Sequence, residues 1–176
     1  AFGVQPVVVA KDPGDLIDID FADAVTLTTT GPGTLVNQTS SPVNGTVSFS
    51  SLAYSASVDG EAITLVADDL ASGVEGDLPA VTSGSTTCDV VANSLAFDIQ
   101  PSGSISGQAL SIQPVVAARD PDGTIDRDFA DLVTLSPIGS GSLTGNSALA
   151  VNGIAPFVNV SYISGSDKES VRLSAN

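Results

Sequence analysis

Short apolar runs separated by turn residues make up most of the chain, and no stretch keeps a helical period over a dozen residues. Residues 24–29 illustrate the pattern: Val25 and Leu27 alternate with threonines until Gly31 and Gly33, with a proline between them, interrupt the run. Period-two alternation bounded by Gly, Pro, Asn and Asp is typical of β-strands. The pattern predicts an all-β chain with strands at 4–10, 24–29, 34–36, 46–49, 62–67, around Cys88, and at 95–100, 109–118, 132–135, 142–143, 156–157, 160–163 and 170–175.

Two local features refine this prediction. Asn44 and Gly45 form a hairpin signal ahead of the strand at 46–49, because both residue types tolerate the positive φ that tight hairpin turns require. Phe49 and Tyr54 are separated by an odd number of positions, so both can face a core only if the chain shifts register between them. The spacing predicts a β-bulge near Ser50 and Ser51.

The chain carries the same block twice. Residues 5–27 return as residues 113–135 with 16 of 23 positions identical, an offset of 108 residues, and the same offset later aligns Asn44-Gly45, Phe49 and Tyr54 with their second copies. A repeat of this length is the size of one small domain. The sequence therefore predicts two tandem repeats, the first at 1–93 and the second at 94–176, with the boundary at Asn93-Ser94.

Each repeat has about seven short strands spaced by turns, which is the pattern of an antiparallel β-sandwich. The first repeat has no counterpart of residues 95–108, and the second has none of residues 69–92. We therefore expect two tandem sandwiches, each missing a terminal strand within this sequence. An open sheet edge favours pairing with another strand. The expected partners are adjacent repeats of a longer array or neighbouring copies of the same protein.

Composition restricts the possible functions. With a formal charge of −15 the chain has no basic surface of the kind that nucleic-acid binding requires, and binding to anionic membranes is disfavoured. No apolar run is long enough for membrane insertion. The chain has no His and a single Cys, so the usual catalytic bases, nucleophiles and transition-metal ligands are missing and no enzyme is expected. Cys88 cannot form a disulfide within the chain; we expect a small buried thiol, with intermolecular pairing as the alternative.

Aspartates concentrate after the first strand shared by the two repeats. Calcium takes six to eight oxygen ligands, which such a loop can supply. Asp18 and Asp20 would lie on one face if that stretch were extended, and a bound cation would relieve the repulsion between their carboxylates. Ordinary turn formation explains the same residues, since Asp-Pro and Asp-Gly initiate turns and exposed carboxylates solvate a surface. Both interpretations stay open. The candidate Ca²⁺ ligands are Asp12, Asp15, Asp18, Asp20 and Asp23 in the first repeat and Asp120, Asp122, Asp126, Asp128 and Asp131 in the second.

Two further sequence features give weaker indications of function. Asn37, Asn44 and Asn159 each begin a triplet that matches the N-glycosylation pattern, although a chain rich in Ser and Thr produces such triplets by chance. Phe49, Tyr54 and their second copies Phe157 and Tyr162 recur at the same repeat positions. Core packing is their expected role, because a sugar-binding platform would use exposed Trp or Tyr.

The second repeat carries the motifs of a known family. Leu-Ala-Phe-Asp-Ile-Gln-Pro-Ser-Gly at 95–103 is followed by Gln-Pro-Val-Val-Ala-Ala-Arg-Asp-Pro-Asp-Gly at 113–123 and Val-Asn-Gly-Ile-Ala-Pro-Phe at 151–157. This sequence resembles the bacterial Ig-like tandem repeats of large secreted or cell-surface, adhesin-like proteins. The resemblance spans both repeats, but the aspartates stand where such repeats usually have Ser, Thr and Asn.

The resemblance implies an extracellular location, at the cell surface or secreted, and a mechanical or adhesive role. The expected function is that of a structural module, as in an adhesin stalk or a surface filament or sheath, stiffened by calcium or by strand exchange. The alternative is a module that binds a carbohydrate or protein on another surface; an exposed aromatic or apolar patch would favour it.

Overall fold

The computed structural model of the 176-residue chain describes residues 2–73, 76–103 and 105–176. These residues form antiparallel β-strands joined by turns and contain no helix, which confirms the all-β prediction. Contacts divide the chain into two compact units, unit 1 (Ala1–Cys88) and unit 2 (Asp89–Asn176). This division falls a few residues before the predicted boundary at Asn93-Ser94, because the amides of Ala92 and Asn93 donate to Asp126 and Arg119 of unit 2.

The described part of unit 1 contains ten strands. A four-stranded sheet has the order β4-β2-β8-β9, and three two-stranded sheets pair β1 with β5, β3 with β6 and β7 with β10. The strands are β1 (Val7–Val9), β2 (Val25–Thr29), β3 (Thr34–Val36), β4 (Thr39–Ser40), β5 (Thr46–Ser48), β6 (Ala53–Ser55), β7 (Glu61–Ile63), β8 (Leu65–Asp68), β9 (Val81–Thr82) and β10 (Thr86–Cys88).

The core of unit 1 lies between its sheets, as in a sandwich. Val25 and Leu27 of β2 are buried together with Val47 of β5, and Leu65 and Ala67 of β8 join the same cluster. Their spacing is two along each strand, so one face of each strand is buried and the other is exposed. The alternation read from the sequence therefore forms the core.

The chain between Phe49 and Tyr54 differs from the predicted bulge. Strand β5 ends at Ser48 and pairs with β1, whereas β6 begins at Ala53 and pairs with β3. Between them Leu52 is fully buried. The two strands have different partners, so no common register has to be kept and no bulge is needed. The run 62–67 is likewise divided, because β7 pairs with β10 and β8 pairs with β2 and β9.

In residues 89–103 and 105–176, unit 2 contains eight strands, seven of which repeat strands of unit 1 at the 108-residue offset. Its sheets have the orders β11-β12-β16, β15-β13-β18 and β14-β17. The strands are β11 (Ser94–Ile99), β12 (Val115–Arg119), β13 (Leu132–Ile138), β14 (Ser142–Thr144), β15 (Ser147–Leu149), β16 (Ile154–Pro156), β17 (Ser161–Ile163) and β18 (Arg172–Ala175).

The core of unit 2 repeats that of unit 1 and adds side chains from β11. Val116, Val133 and Leu135 are buried in one cluster, against which Leu95 and Phe97 of β11 pack. The predicted core aromatics take that role: Phe49, Phe157 and Tyr162 are buried, and Tyr54 packs against the core of unit 1.

The predicted hairpin turn occurs in both units. Asn44 and Gly45 have φ of 52° and 71°, and Asn152 and Gly153 have φ of 51° and 78°. Two consecutive residues with positive φ define the type I′ geometry that matches the twist of a hairpin. The amide of Thr46 donates to the carbonyl of Val43 at 3.2 Å and closes the first turn. The Asn-Gly signal in the sequence is confirmed.

Candidate functional site

The first aspartate of each acidic loop organises a turn. Oδ1 of Asp12 accepts the amides of Gly14 (2.8 Å) and Leu16 (2.9 Å). Oδ1 of Asp120 accepts the amides of Asp122 (3.0 Å) and Thr124 (2.8 Å). An Asp side chain that bonds backbone amides two and four residues on forms a local turn. One carboxylate oxygen of each residue is therefore engaged with the protein backbone.

The third aspartate of each loop differs between the units. Asp126 is buried, and its carboxylate accepts the amides of Ala92 (2.7 Å) and Phe129 (2.9 Å). Burial acts to raise the pKa of Asp126, but these amides and a hydrogen bond with Asp128 outweigh it and leave the pKa lowered. A carboxylate that accepts several amide bonds is stabilised in its charged form.

In unit 1 the corresponding residue, Asp18, is half-buried and interacts with Asp20. A side-chain hydrogen bond with Asp20 raises the pKa of Asp18, and the same bond lowers the pKa of Asp20. Two carboxyl groups that share a proton behave in this way. The structure thus brings together Asp18 and Asp20, a pair that the sequence placed on one face.

The remaining candidate ligands lie in different surroundings. Asp15 forms an exposed ion pair with Lys11 at 2.7 Å, and Asp23 is buried next to Gly73. Asp122, Asp128 and Asp131 are exposed. Calcium binding by the two loops stays a prediction.

A further group of carboxylates lies at the end of β8. Ligand-capable oxygens of Asp68, Asp69 and Asp77 lie within 4.8 Å of one another, and Oδ1 of Asp69 accepts the amide of Leu78 at 3.1 Å. The adjacency of Asp68 and Asp69 was the only signal in the sequence, and Asp77 joins them through the fold. Exposed acidic groups of this kind are common without a metal.

The glutamine that begins each copy of the repeated block forms three hydrogen bonds to the backbone of its own unit. Nε2 of Gln5 donates to the carbonyls of Phe2 and Leu52, both at 3.1 Å, while its Oε1 accepts the amide of Leu52 at 2.9 Å. Gln113 makes the same three bonds in unit 2, to the carbonyls of Leu110 and Val160 and from the amide of Val160. The signal was present in the sequence, since both copies of the repeated block begin with this residue.

Two sheet edges lack a partner that the other unit possesses. In unit 2, β11 pairs with the outer edge of β12, but within residues 2–73 and 76–88 no strand pairs with the outer edge of the corresponding β1. In unit 1, β9 pairs with the outer edge of β8, but within residues 105–176 no strand pairs with that edge of the corresponding β18.

The predicted glycosylation sites are exposed turn residues. Asn37, Asn44 and Asn159 all have positive φ, of 59°, 52° and 58°. The side-chain amide of Asn37 also donates to the carbonyl of Ser51 at 2.9 Å. Glycosylation stays a prediction. Cys88 is half-buried against the core of unit 1, and burial together with the charge of Glu61 raises the pKa of its thiol.

Among the residues that the structure describes, none belongs to a helix that could cross a membrane. Comparisons with protein-family models, with curated proteins and with solved structures find no match to this chain.

Proposed function

We propose that the chain is a structural repeat module of an extracellular protein, as in an adhesin stalk or a surface filament or sheath, completed by strands of neighbouring repeats. One observation carries this proposal. The same β-unit occurs twice, with matched strands and turns, and among the residues that the structure describes each copy has an unpaired edge where the other copy has a strand. Units that need a strand from outside themselves are suited to serial assembly.

The polar bonds inside the units support a structural role. The bonds of Gln5 recur in Gln113, and the turn at Asn44 recurs at Asn152. Repetition of fold-stabilising contacts indicates that what the two copies share is architecture. The acidic loops fit the same picture, because Asp12, Asp120 and Asp126 bond backbone amides. Calcium, if bound there, would stiffen the module.

The surface argues against the alternative of a carbohydrate-binding module. All eight aromatic side chains, six Phe and two Tyr, are buried or half-buried. Sugar recognition usually relies on an exposed ring that stacks on the ligand, since aromatic faces supply large apolar contact area. The net charge of −15 instead favours a solvated surface that resists non-specific association.

Antibody labelling tests the proposal. An antibody raised against the 176-residue chain should label intact cells of the source organism, in repeated or fibrous arrays when viewed by electron microscopy. The native antigen, extracted under mild conditions, should have a mass well above the 17.5 kDa of this chain. Labelling that requires permeabilised cells, or a native antigen that stays monomeric at 17.5 kDa, would refute the structural-array function.

A further inference from the structure

Within residues 2–73 and 76–88, no strand bonds to the outer edge of β1. The amide of Ala10 donates to the carbonyl of Gly45, and the amide of Phe49 donates to the carbonyl of Pro6. Residues along an antiparallel strand alternate between bonding one neighbour and the other. The even-numbered residues therefore bond to β5, and the N–H and C=O groups of Val7 and Val9 point to the opposite edge.

Unit 2 shows what occupies this edge when a strand is present. Strand β11 pairs with β12 so that Leu95 lies opposite Ala118, Ala96 opposite Ala117 and Phe97 opposite Val116. Leu95 and Phe97 pack against the core. The three β12 residues are then 0–1% exposed.

The same positions in unit 1 are less covered. Val8 and Val9 are only half-buried and Ala10 is 8% exposed, while Val7, the counterpart of the half-buried Val115, is 59% exposed. Beside them lie two hollows of about 290 and 320 Å³ that share four lining residues and together form a groove between β1 and strands β8 and β9. The apolar residues of this groove include Val8, Ala10, Val25, Leu27, Ala67 and Val81.

The charges at this edge favour a strand that resembles β11. Lys11, at the end of the groove, is the only Lys or Arg in residues 1–88. Its counterpart Arg119 forms an ion pair with Asp98 of β11 at 2.6 Å. Lys11 pairs with the exposed Asp15. A strand with an acidic residue at the place of Asp98 would bring a second carboxylate to Lys11, which favours one orientation of the incoming strand.

A second polar contact specifies where the strand begins. The amide of Ala92, just before β11, donates to Asp126 at 2.7 Å. The corresponding carboxyl in unit 1, Asp18, shares a hydrogen bond with Asp20, as Asp126 does with Asp128, but the described residues of unit 1 include no counterpart of Ala92. An amide arriving at the place of Ala92 would bond Asp18 as its counterpart is bonded in unit 2.

We propose that this groove binds a β-strand with the side-chain pattern of residues 92–99, supplied by a neighbouring repeat, antiparallel to β1 and in the register that β11 takes on β12. Apolar side chains at the places of Leu95 and Phe97 enter the groove. Backbone groups of the incoming strand bond Val7 and Val9, as in other cases of strand addition to an open edge.

A peptide with the sequence of residues 91–102, added to the whole ¹⁵N-labelled chain, tests this proposal. At saturation the amide hydrogen exchange of Val7 and Val9 should slow by about tenfold or more, while Ala10, already bonded to Gly45, should change little. The melting temperature should rise with peptide concentration, because the peptide binds the folded state. A peptide with Leu95→Asp and Phe97→Asp should neither slow the exchange of Val7 and Val9 nor raise the melting temperature.

A proline variant tests the register. Val9→Pro removes an amide that points away from β5, so the chain should fold with nearly unchanged stability and no longer bind the peptide. The matched Ala117→Pro change removes an amide that faces β11 and should lower the melting temperature of the chain alone. Binding that persists in Val9→Pro, or protection by the Asp-substituted peptide, would overturn the proposal.

Other outcomes identify other occupants. If Val7 and Val9 are already protected in the chain alone and it is a dimer by sedimentation, a second copy fills the groove and the proposed source is wrong. If the peptide binds without protecting Val7 and Val9, it does not pair with β1, which also contradicts the proposal.

The inference rests on the proposed function only for the source of the strand. If the peptide binds but the antibody does not label the cell surface, the proposed array function is wrong. If the antibody labels the surface but the peptide does not bind, the proposed strand-binding groove is wrong.

Discussion

The hydroxyl of Tyr54 donates a 2.5 Å hydrogen bond to Oε1 of Glu61 and accepts the amide of Gly33 at 2.8 Å. Burial, and then the bond to Glu61, raise the pKa of Tyr54 to about 12, and the same bond lowers the pKa of Glu61. In unit 2 the hydroxyl of Tyr162 accepts the amide of Gly141 at 2.8 Å. A residue that the sequence assigned to core packing therefore also closes a polar network.

Replacing Tyr54 with Phe should lower the free energy of unfolding by about 1–2 kcal/mol, because the amide of Gly33 loses its acceptor and Glu61 loses its donor. Urea unfolding followed by circular dichroism measures this loss. The matched Tyr162→Phe change removes the acceptor of the Gly141 amide and should act in the same direction. Unchanged unfolding midpoints in both variants would mean that the rings stabilise through packing alone.

Glu169 should make unit 2 sensitive to acid. Amides of Ser140 and Gly165 and the hydroxyl of Ser140 hold the pKa of Glu169 at about 2, below its ordinary value of 4.5. A carboxyl whose pKa is lowered on folding contributes stability above its unfolded pKa, and that contribution is lost as the pH falls toward the folded pKa. The loss should occur between about pH 4.5 and pH 2.

Denaturant unfolding at several pH values from 7 to about 2 measures this dependence. Glu169→Gln should flatten the decline below pH 4.5, whereas Asp167→Asn, a change at an exposed carboxylate nearby, should leave its slope as in the native chain. Equal slopes for the native chain and Glu169→Gln would show that other carboxylates govern acid unfolding.

Local chemistry made much of the fold predictable. The alternation around Val25 and Leu27 predicted which face is buried, and the Asn44-Gly45 pair predicted a turn that the structure forms. The change of strand partner between Ser48 and Ala53 was not predictable, because it depends on pairing with distant strands. Alternation alone fixes which side chains share a face and leaves open which sheet a strand joins.

The candidate sites were likewise predictable only where local sequence determines them. The sequence placed Asp18 and Asp20 together, but it could not distinguish turn formation from metal binding, since both use the same residue type. The burial of Asp126 depends on the amide of Ala92, which lies 34 residues away along the chain. Its counterpart Asp18 has the same local sequence signal and a different environment. Contacts of this range are set by tertiary structure.

Gln5→Glu should destabilise unit 1 by about 2–3 kcal/mol at neutral pH, because a charged oxygen would replace the amide that donates to the carbonyls of Phe2 and Leu52. Thermal unfolding measures the effect, and it should shrink as the pH falls and the carboxyl is protonated. Gln38→Glu, at an exposed position, serves as the control for added charge. Equal effects at both positions would contradict a specific role for Gln5.

Gly153→Ala should be more destabilising than Gly123→Ala. Both residues have positive φ, of 78° and 87°, but a Cβ at Gly153 would lie 2.1 Å from the carbonyl oxygen of Asp126, whereas a Cβ at Gly123 meets no atom within 4 Å. Gly123→Ala should lose about 1 kcal/mol from the backbone conformation alone, and Gly153→Ala should lose several times as much. Similar melting temperatures would indicate that the hairpin moves freely away from the Asp126 loop.

Asp120→Ala should lower the free energy of unfolding by about 1–2 kcal/mol, because the amides of Asp122 and Thr124 lose their acceptor. If Asp120 serves the turn alone, the loss is the same in chelator as in about 1 mM CaCl₂, a concentration at which extracellular calcium modules are occupied. Asp167→Ala controls for the charge removed. A loss that grows with calcium would instead identify Asp120 as a calcium ligand.

Tyr54 and Tyr162 are the only tyrosines of a chain without tryptophan, and each lies in a different unit. Each unit therefore carries its own intrinsic chromophore, and a single Tyr→Phe replacement removes the absorbance signal of the other unit. Burial raises the pKa of both phenols, so ionisation near pH 11, monitored in the ultraviolet, distinguishes a folded half from an unfolded one. The melting of the two halves can thus be followed separately without any added label.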